Sequence, residues 1–174
     1  MERVLVLGGC GAGKSTFAQR LGALLGAPVV HFDQQYFLPN WVEPEGNRWH
    51  EKIDEVLATD RWVIDGNYVP TLAQRLARAD TAILLDLPTW ICLARIFYRI
   101  ASTYGRVRFD MAPGCPERLD FEFIRYAATF RKRQRPRLLA GLQSFGGQVV
   151  TLRSPSEVEA FLLRVYERAE GRWT

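Results

Sequence analysis

Residues 4–16 read Val4-Leu5-Val6-Leu7-Gly8-Gly9-Cys10-Gly11-Ala12-Gly13-Lys14-Ser15-Thr16. From Gly8 onward the stretch fits G-x-x-x-x-G-K-[ST], the pattern of a loop that cradles phosphate groups. Each residue type has a physical reason to be there. Glycine lets the backbone turn through positive φ and approach an anion with no Cβ in the way. Successive N–H groups then converge as a nest for the β-phosphate. Lys14 supplies a mobile charge for the β- and γ-phosphates, and Ser15 a hydroxyl for Mg²⁺. The helix that starts here adds its positive N-terminal dipole. The flanks agree. Val4 to Leu7 is the short apolar run of a buried parallel strand. Phe17, Ala18, Leu21, Leu24 and Leu25 recur at helical spacing, and Gly26 and Pro28 end that helix. Strand, glycine-rich loop and helix stand in the order the chemistry needs, so Gly8 to Thr16 are expected to bind a nucleoside triphosphate.

The chain has 174 residues, 48% hydrophobic and 24% charged, which suits one domain spanning residues 1–174. No apolar run approaches the ~20 residues of a membrane span. The apolar start is too short and glycine-rich for a signal peptide. Cys10, Cys92 and Cys115 have neither disulfide-framework nor zinc-ligand spacing, so a cytoplasmic setting is expected. Cys10 reads as a filler at a variable motif position or as an oxidation-sensitive thiol. The net charge is +4, unevenly spread: residues 91–137 hold ten arginines and one lysine against four acids. Arginine's planar fork suits phosphate oxygens, so this segment implies a polyanionic partner, a nucleotide polyphosphate or nucleic acid.

Further along, Val29 to Phe32 reads as a second strand ending at Asp33. Gln34 to Trp49 is rich in aromatics and proline: either an acceptor-facing loop, spanning about 34–50, or a cover for the end of the core. Glu51 to Ala58 patterns as a helix with Ile53, Val56 and Leu57 inward. Trp62 to Ile64 is a third strand ending at Asp65-Gly66. Thr71-x-x-Gln74 has the form of a capping box, opening a helix to Arg78. Ala82 to Leu85 is a fourth strand. Pro88 suits the start of a long helix to about Ala101. Thr103 to Pro116 reads as a mobile loop, Glu117 to Phe130 as a helix and Arg131 to Arg137 as a basic run. Gln148 to Leu152 is a fifth strand, and Ser156-x-x-Glu159 is placed to cap the last helix. Strands alternating with helices imply an α/β fold with a parallel sheet covered on both faces. Ligands then bind at the carboxyl ends of the strands, where Asp33, Asp65 and Asp86 stand with the glycine-rich loop.

This order resembles the adenylate-kinase-like P-loop kinases over nearly the whole chain. Asp65-Gly66 matches the pair that ends the family's third strand, and Asp86, Pro88, Arg95 and Arg99 match its later strand-and-helix segment. The resemblance implies a three-layer P-loop NTPase fold with five parallel strands in the order 2-3-1-4-5. It also implies a small lid at about 103–118, ATP and Mg²⁺ as cofactors, and Arg95 and Arg99 as lid-base arginines. Arg131 or Arg133 would be the returning lid arginine. A closer resemblance is to a bacterial group known as DNA topology modulation proteins. It rests on His31-Phe32-Asp33, Pro39-Asn40-Trp41, Asp65-Gly66-Asn67-Tyr68 and Gly114-Cys115-Pro116-Glu117-Arg118-Leu119-Asp120.

The chain departs from nucleoside monophosphate kinases, in which an arginine follows the Asp-Gly pair and another follows strand two. Asn67-Tyr68 and Gln34-Gln35-Tyr36 stand there instead, and the nearest later arginines are Arg75 and Arg48. Asp33-x-x-Tyr36-Phe37 is similar to the acceptor-side aspartate of uridine-kinase-like enzymes. The expected activity is therefore transfer of the γ-phosphoryl of ATP to a small hydroxyl-bearing acceptor. Lys14, Asp33, Arg95 and Arg99 are the catalytic candidates. Ser15 holds Mg²⁺ with Asp65 acting through water, and Asp86 is the rival acid. Tyr36, Phe37 and Trp41 are candidates for an aromatic wall against the acceptor. The alternatives are a nucleoside monophosphate kinase and a nucleic-acid-associated regulatory NTPase. The base-reading Asn-Lys-x-Asp motif of a GTPase switch is absent. Monomer and homodimer both stay open.

Overall fold

The computed structural model describes residues 1–44 and 48–171. Five parallel strands, β1 (Arg3–Gly8), β2 (Val29–His31), β3 (Trp62–Asp65), β4 (Thr81–Leu85) and β5 (Gln148–Leu152), form one sheet in the order β2-β3-β1-β4-β5. This is the order expected. β1 is central because all four residues from Val4 to Leu7 are apolar and fully buried. Their side chains alternate between the two faces. Val4 and Val6 pack with Phe17, Leu21 and Phe161 from α1 (Lys14–Leu25) and α8 (Pro155–Ala169). Leu5 and Leu7 pack with Ile53, Leu72 and Leu138 from α3 (Arg48–Leu57), α4 (Leu72–Arg78) and α7 (Arg135–Gln143). The remaining helices are α2 (Phe32–Tyr36), α5 (Thr89–Thr103) and α6 (Phe121–Arg133). Among the described residues no helix is long and apolar enough to cross a membrane.

Several local expectations are corrected. β2 stops at His31, and Phe32-Asp33 open the short helix α2, so Asp33 is a first-turn residue rather than the end of a strand. Thr71 makes no capping bond. Gln74 donates instead to Asp54 of α3, while the Thr71 hydroxyl meets Arg75 Nε at 3.3 Å. The cap of α8 is Ser154, whose hydroxyl accepts from the Glu157 N–H at 3.2 Å; Glu159 pairs with Arg20 of α1. α6 starts at Phe121 behind an Asp120 cap, four residues later than the apolar spacing suggested.

The segment expected as a mobile loop is folded. Tyr104 bridges Glu117 and Val107 bridges Pro116. Met111, Ala112 and Cys115 form a small buried core against Phe37 and Trp41. Trp41 donates its indole N–H to the Pro116 carbonyl at 3.1 Å, and the Asn40 N–H reaches the Gly114 carbonyl at 2.9 Å. Gly114 has φ 78°, and a Cβ there would lie 2.9 Å from the Cβ of Pro39. Thus 104–117 and 37–41 dock together. The acceptor-side stretch at about 34–50 includes residues 45–47, and with them Gly46, which lie outside the described residues, as does the Arg48 side chain. Within the described part, Trp49 packs edge to face with Phe32, Tyr36 and Tyr68 at 4.8–5.3 Å, Tyr36 and Tyr68 meet in a tilted pair at 5.1 Å, and together they cover the end of the core.

One buried cation underlies this region. Arg75 is fully buried and, among the described residues, meets no carboxylate. It donates to the carbonyls of Gly66, Asn67 and Tyr68 at 2.9, 2.6 and 2.8 Å, and its guanidinium lies 4.8 Å from the Phe32 ring centre. Burial pushes its pKa down to about 9, so it stays charged at neutral pH. Removing it leaves three carbonyls short of donors inside the protein. Arg75→Met is expected to cost about 3 kcal/mol or more, read as a fall in the urea midpoint with an unchanged slope.

Candidate active site

The carboxyl end of β1 turns into the glycine-rich loop at Gly8. The strand register sets Gly8 beside Leu85 and Val6 beside Asp65. Gly8 has φ 145° and a Cβ on it would sit 2.5 Å from the Leu85 carbonyl oxygen; at Gly11, φ 78°, a Cβ would lie 2.3 Å from the Cys92 carbonyl oxygen. No side chain fits at either place. Gly13, at φ 90°, caps α1, whose first turn carries neither an acidic side chain nor a side-chain cap. The N–H groups at that end are left to an anion. Lys14 folds back and donates to the Gly9 carbonyl at 3.1 Å, and Arg95 donates to the Ala12 carbonyl at 3.0 Å. Two cations thus border the loop. Ser15 is half-buried on the first turn of α1, next to exposed Thr16. Cys10 is enclosed among Ile96, Ile100 and Ala127, and burial pushes its thiol up, away from the reactive thiolate.

The three aspartates near the carboxyl edge of the sheet have separate fates. Asp65 is buried and accepts from or shares a proton with His31 Nδ1 at 3.0 Å. Burial alone lowers the His31 pKa, but the bond and charge of Asp65 outweigh it and the net direction is up. Asp86 is paired with Arg135 at 2.7 and 2.8 Å, with Arg131 at 3.5 Å. The Asp33 side chain has no hydrogen bond or ion pair among the described residues. Its carboxylate is exposed to the cleft yet ringed by protein. That enclosure pushes it above the ordinary aspartate range, against the pull of Lys14 and Arg108, with Asp65 and Asp110 reinforcing the rise.

Arg99 contacts both oxygens of Glu117, at 3.0 and 3.2 Å, with Phe123 beneath its guanidinium at 5.7 Å. Arg108 reaches Asp110 at 3.3 Å and Glu117 at 3.4 Å. The buried Glu117 therefore ties the end of α5 to the 104–117 segment. Across the loop, α6 contributes a groove of about 290 Å³ lined by Arg125, Tyr126, Thr129 and Arg133. Tyr126 is pushed up to about 12, chiefly by burial, and it also feels Cys10 and Asp33. Arg131 and Arg133 part company here: the first turns to Asp86, the second to the groove.

Asn67 is the residue whose role sequence spacing did not reveal. Its side chain accepts from the Gly8 N–H at 2.9 Å and donates to the Gly8 carbonyl at 2.7 Å. Its amide uses the oxygen for one bond and the NH₂ for the other. It occupies the place where a nucleoside monophosphate kinase keeps an arginine, and it faces the glycine-rich loop. Sequence reading also passed over Arg75, His31, Arg108 and Glu117 as site-shaping residues. The one signal was their charge within apolar or docked segments.

The donor set fits a nucleoside triphosphate with Mg²⁺. Gly8 to Thr16 would hold the phosphates. Ser15, and Asp65 through water, would hold the ion. Among the described residues no three His, Cys, Asp or Glu side chains cluster into a cage.

No family model matches the chain, and no curated protein matches it. Solved structures do. A shikimate kinase from Acinetobacter baumannii in complex with shikimate has a TM-score of 0.62 at 14% identity, covering 99% of this chain and 95% of that one. A shikimate kinase from Bacteroides thetaiotaomicron has a TM-score of 0.59 at 15% identity, covering 97% and 98%. A gluconokinase from Sinorhizobium meliloti 1021 has a TM-score of 0.52 at 16% identity, covering 99% and 98%. The chain shares the α/β P-loop kinase fold along its length.

The Asn67 clamp makes a specific forecast. In Asn67→Asp the acceptor to Gly8 N–H remains, while the donor becomes a carboxylate facing a carbonyl. The loop should lose its seat, and the dissociation constant for nucleotide should rise about tenfold or more, a buried carbonyl left without its donor costing ~1–3 kcal/mol. Titration with a fluorescent ATP analogue checks it, with Asn67→Gln as the variant that keeps both bonding groups.

Proposed function

We propose that the protein is an ATP- and Mg²⁺-dependent phosphotransferase that moves the γ-phosphoryl group to a small hydroxyl-bearing acceptor, a nucleoside or metabolite. The observation that carries this reading is Asp33. Of the three aspartates near the carboxyl edge of the sheet, it is the one whose side chain has no hydrogen bond or ion pair among the described residues, and it is exposed near Lys14. A phosphate acceptor is already ionised and needs no base. A hydroxyl acceptor benefits from a carboxylate that orients it and takes its proton late in transfer.

Other features support the same choice. The position that would grip an acceptor phosphate holds Asn67, which is occupied by Gly8, and Arg75 is occupied by carbonyls. The similar structures are shikimate kinases and a gluconokinase, names that point to small hydroxylated acceptors. Two arginines of the basic run, Arg131 and Arg135, are paired with Asp86, which weakens the nucleic-acid alternative. The same pairing favours Asp65 over Asp86 as the metal-side acid.

On this reading bound Mg-ATP supplies the phosphoryl group and much of the charge neutralisation. Lys14 leaves the Gly9 carbonyl to follow the β- and γ-phosphates. Arg95 and Arg99 flank the transferring group, and residues 103–118 act as the lid that excludes water. Phe37 and Trp41 pack against that segment, so the acceptor's aromatic wall narrows to Tyr36 and its neighbours.

Three outcomes are expected in an ATP-consumption screen over nucleosides, nucleotides, sugars and small metabolites. Lys14→Ala folds normally and loses turnover. Asp33→Asn lowers kcat by about 10²-fold while ATP still binds. Its wild-type acid limb should lie above the ordinary carboxylate range, because a raised pKa leaves Asp33 protonated, and useless as a base, at a higher pH. That limb should vanish in Asp33→Asn. Efficient phosphorylation of AMP, CMP or UMP with a silent Asp33→Asn would overturn the acceptor assignment. For the lid, Arg99→Ala should lower kcat/KM for ATP by on the order of tenfold or more. Glu117→Gln, which spares the guanidinium, should cost less; equal losses would reduce Arg99 to a tie for Glu117.

A further inference from the structure

α5 has a face that the described residues leave open. Its only charged residues are Arg95 and Arg99, and both turn toward the glycine-rich loop and Glu117. Cys92, Ile96 and Ile100 are buried. The opposite side presents Trp90, Ala94, Phe97, Tyr98 and Ala101, all exposed, and Tyr104 continues it past the helix end. Trp90 is 71%, Tyr98 76% and Tyr104 66% exposed. A helix that is apolar on nearly every side normally lies inside a structure.

The spacing says what could cover it. Trp90, Ala94, Phe97 and Ala101 stand four, three and four apart, the seam of a helix pair with a 3.5-residue period. Along the seam the residues run large, small, large, small. In an antiparallel pairing of two such helices, with the two-fold between residues 95 and 96, Trp90 meets Ala101 of the second copy and Phe97 meets its Ala94. Each ring then enters the gap left by an alanine. A parallel pairing would set Trp90 on Trp90. The face carries no charge, so two chains of net charge +4 bring no like charges together there. Area agrees. At ~150–250 Å² for each fully covered aromatic side chain, the open parts of Trp90, Phe97, Tyr98 and Tyr104 come to roughly 500 Å² per copy. The pair buries about 1,000 Å², the size at which specific interfaces begin.

We propose that a second copy of this chain covers this face, giving an isologous two-fold dimer through antiparallel α5 helices. The two glycine-rich loops then lie on the outer sides of the paired helices, and each site is complete within its own chain.

The full-length protein should sediment at micromolar concentration with twice its 19.9 kDa chain mass. Ala94→Arg and Phe97→Glu, both on exposed positions, should each halve that mass while circular dichroism stays unchanged. A short bis-maleimide should join chains carrying Trp90→Cys and Ala101→Cys together, and should not join chains carrying either change alone. A single-chain mass for the wild type overturns the proposal and leaves the face to another partner. So does a dimer that survives both charged substitutions, or cross-linking by one cysteine alone, which would mean another face or another register.

Discussion

The peptide of Gly8 is bonded to the Asn67 side chain through both its N–H and its carbonyl, and the ligand side of the molecule depends on that exchange. β1 ends there, so the loop that follows inherits its position from a peptide held by a different strand. The hold is rigid because each part rests on another. Asn67 follows β3. Its own carbonyl and those of its neighbours are gathered by Arg75 from α4, and Arg75 lies against Phe32 at the start of α2. Phe32 in turn sets the turn that aims Asp33. Gly66 completes the contact: a Cβ on it would sit 2.7 Å from the Cβ of Phe32. One chain of contacts therefore connects the phosphate-binding loop to the acid proposed to handle the acceptor. No part of it requires a ligand.

Electrostatics at the strand ends follow from what each carboxylate finds. Asp86 meets two arginines four residues apart, one on α6 and one on α7, and becomes part of the scaffold beneath the loop. Asp65 meets His31, its register neighbour on β2, and stays buried with one polar partner. Asp33 meets none and keeps its solvent access. The same residue type at the same sheet edge thus divides into structural, metal-side and acceptor-side candidates by neighbour alone. Enclosure by the surrounding protein raises the proton affinity of Asp33, the direction a proton acceptor near neutrality needs.

Much of this was legible in the residues. The edge strand at Gln148–Leu152 was legible from its Val149-Val150-Thr151-Leu152 run although it is only partly buried. The apolar runs Val4–Leu7 and Ala82–Leu85 mark strands within a residue of their ends, because buried parallel strands admit little else. The glycine-rich loop was legible for the same reason: few sequences meet its backbone demands. Asn67 was not. Its partner is a peptide group 59 residues away, and a side chain that bonds to backbone leaves no complementary residue to find. The capping box at Thr71 failed because Gln74 had a better acceptor in Asp54 on another helix. The basic run from Arg131 to Arg137 read as one surface feature, but the break between α6 and α7 at Gln134 splits it, and two of its arginines turn inward to Asp86.

The docked segment 104–117 imposes the last constraint. Its inner surface is a small apolar core shared with Phe37 and Trp41, and its outer tie is Glu117 between Arg99 and Arg108. Two consecutive non-glycine residues, Asn40 and Trp41, hold positive φ angles of 64° and 63° at that contact, a conformation that needs surrounding support. The support comes from the segment itself: Gly114 and Pro116 supply the carbonyls that the Asn40 N–H and the Trp41 indole meet. Opening the segment would free the strained pair and break both bonds together. The 37–41 stretch and the 104–117 segment are therefore coupled, because moving either one disturbs the contacts that hold the other. On the proposed reading, Arg99 would have to leave the buried Glu117 to answer the charge of a triphosphate, and that release would loosen the segment that also holds Asn40 and Trp41.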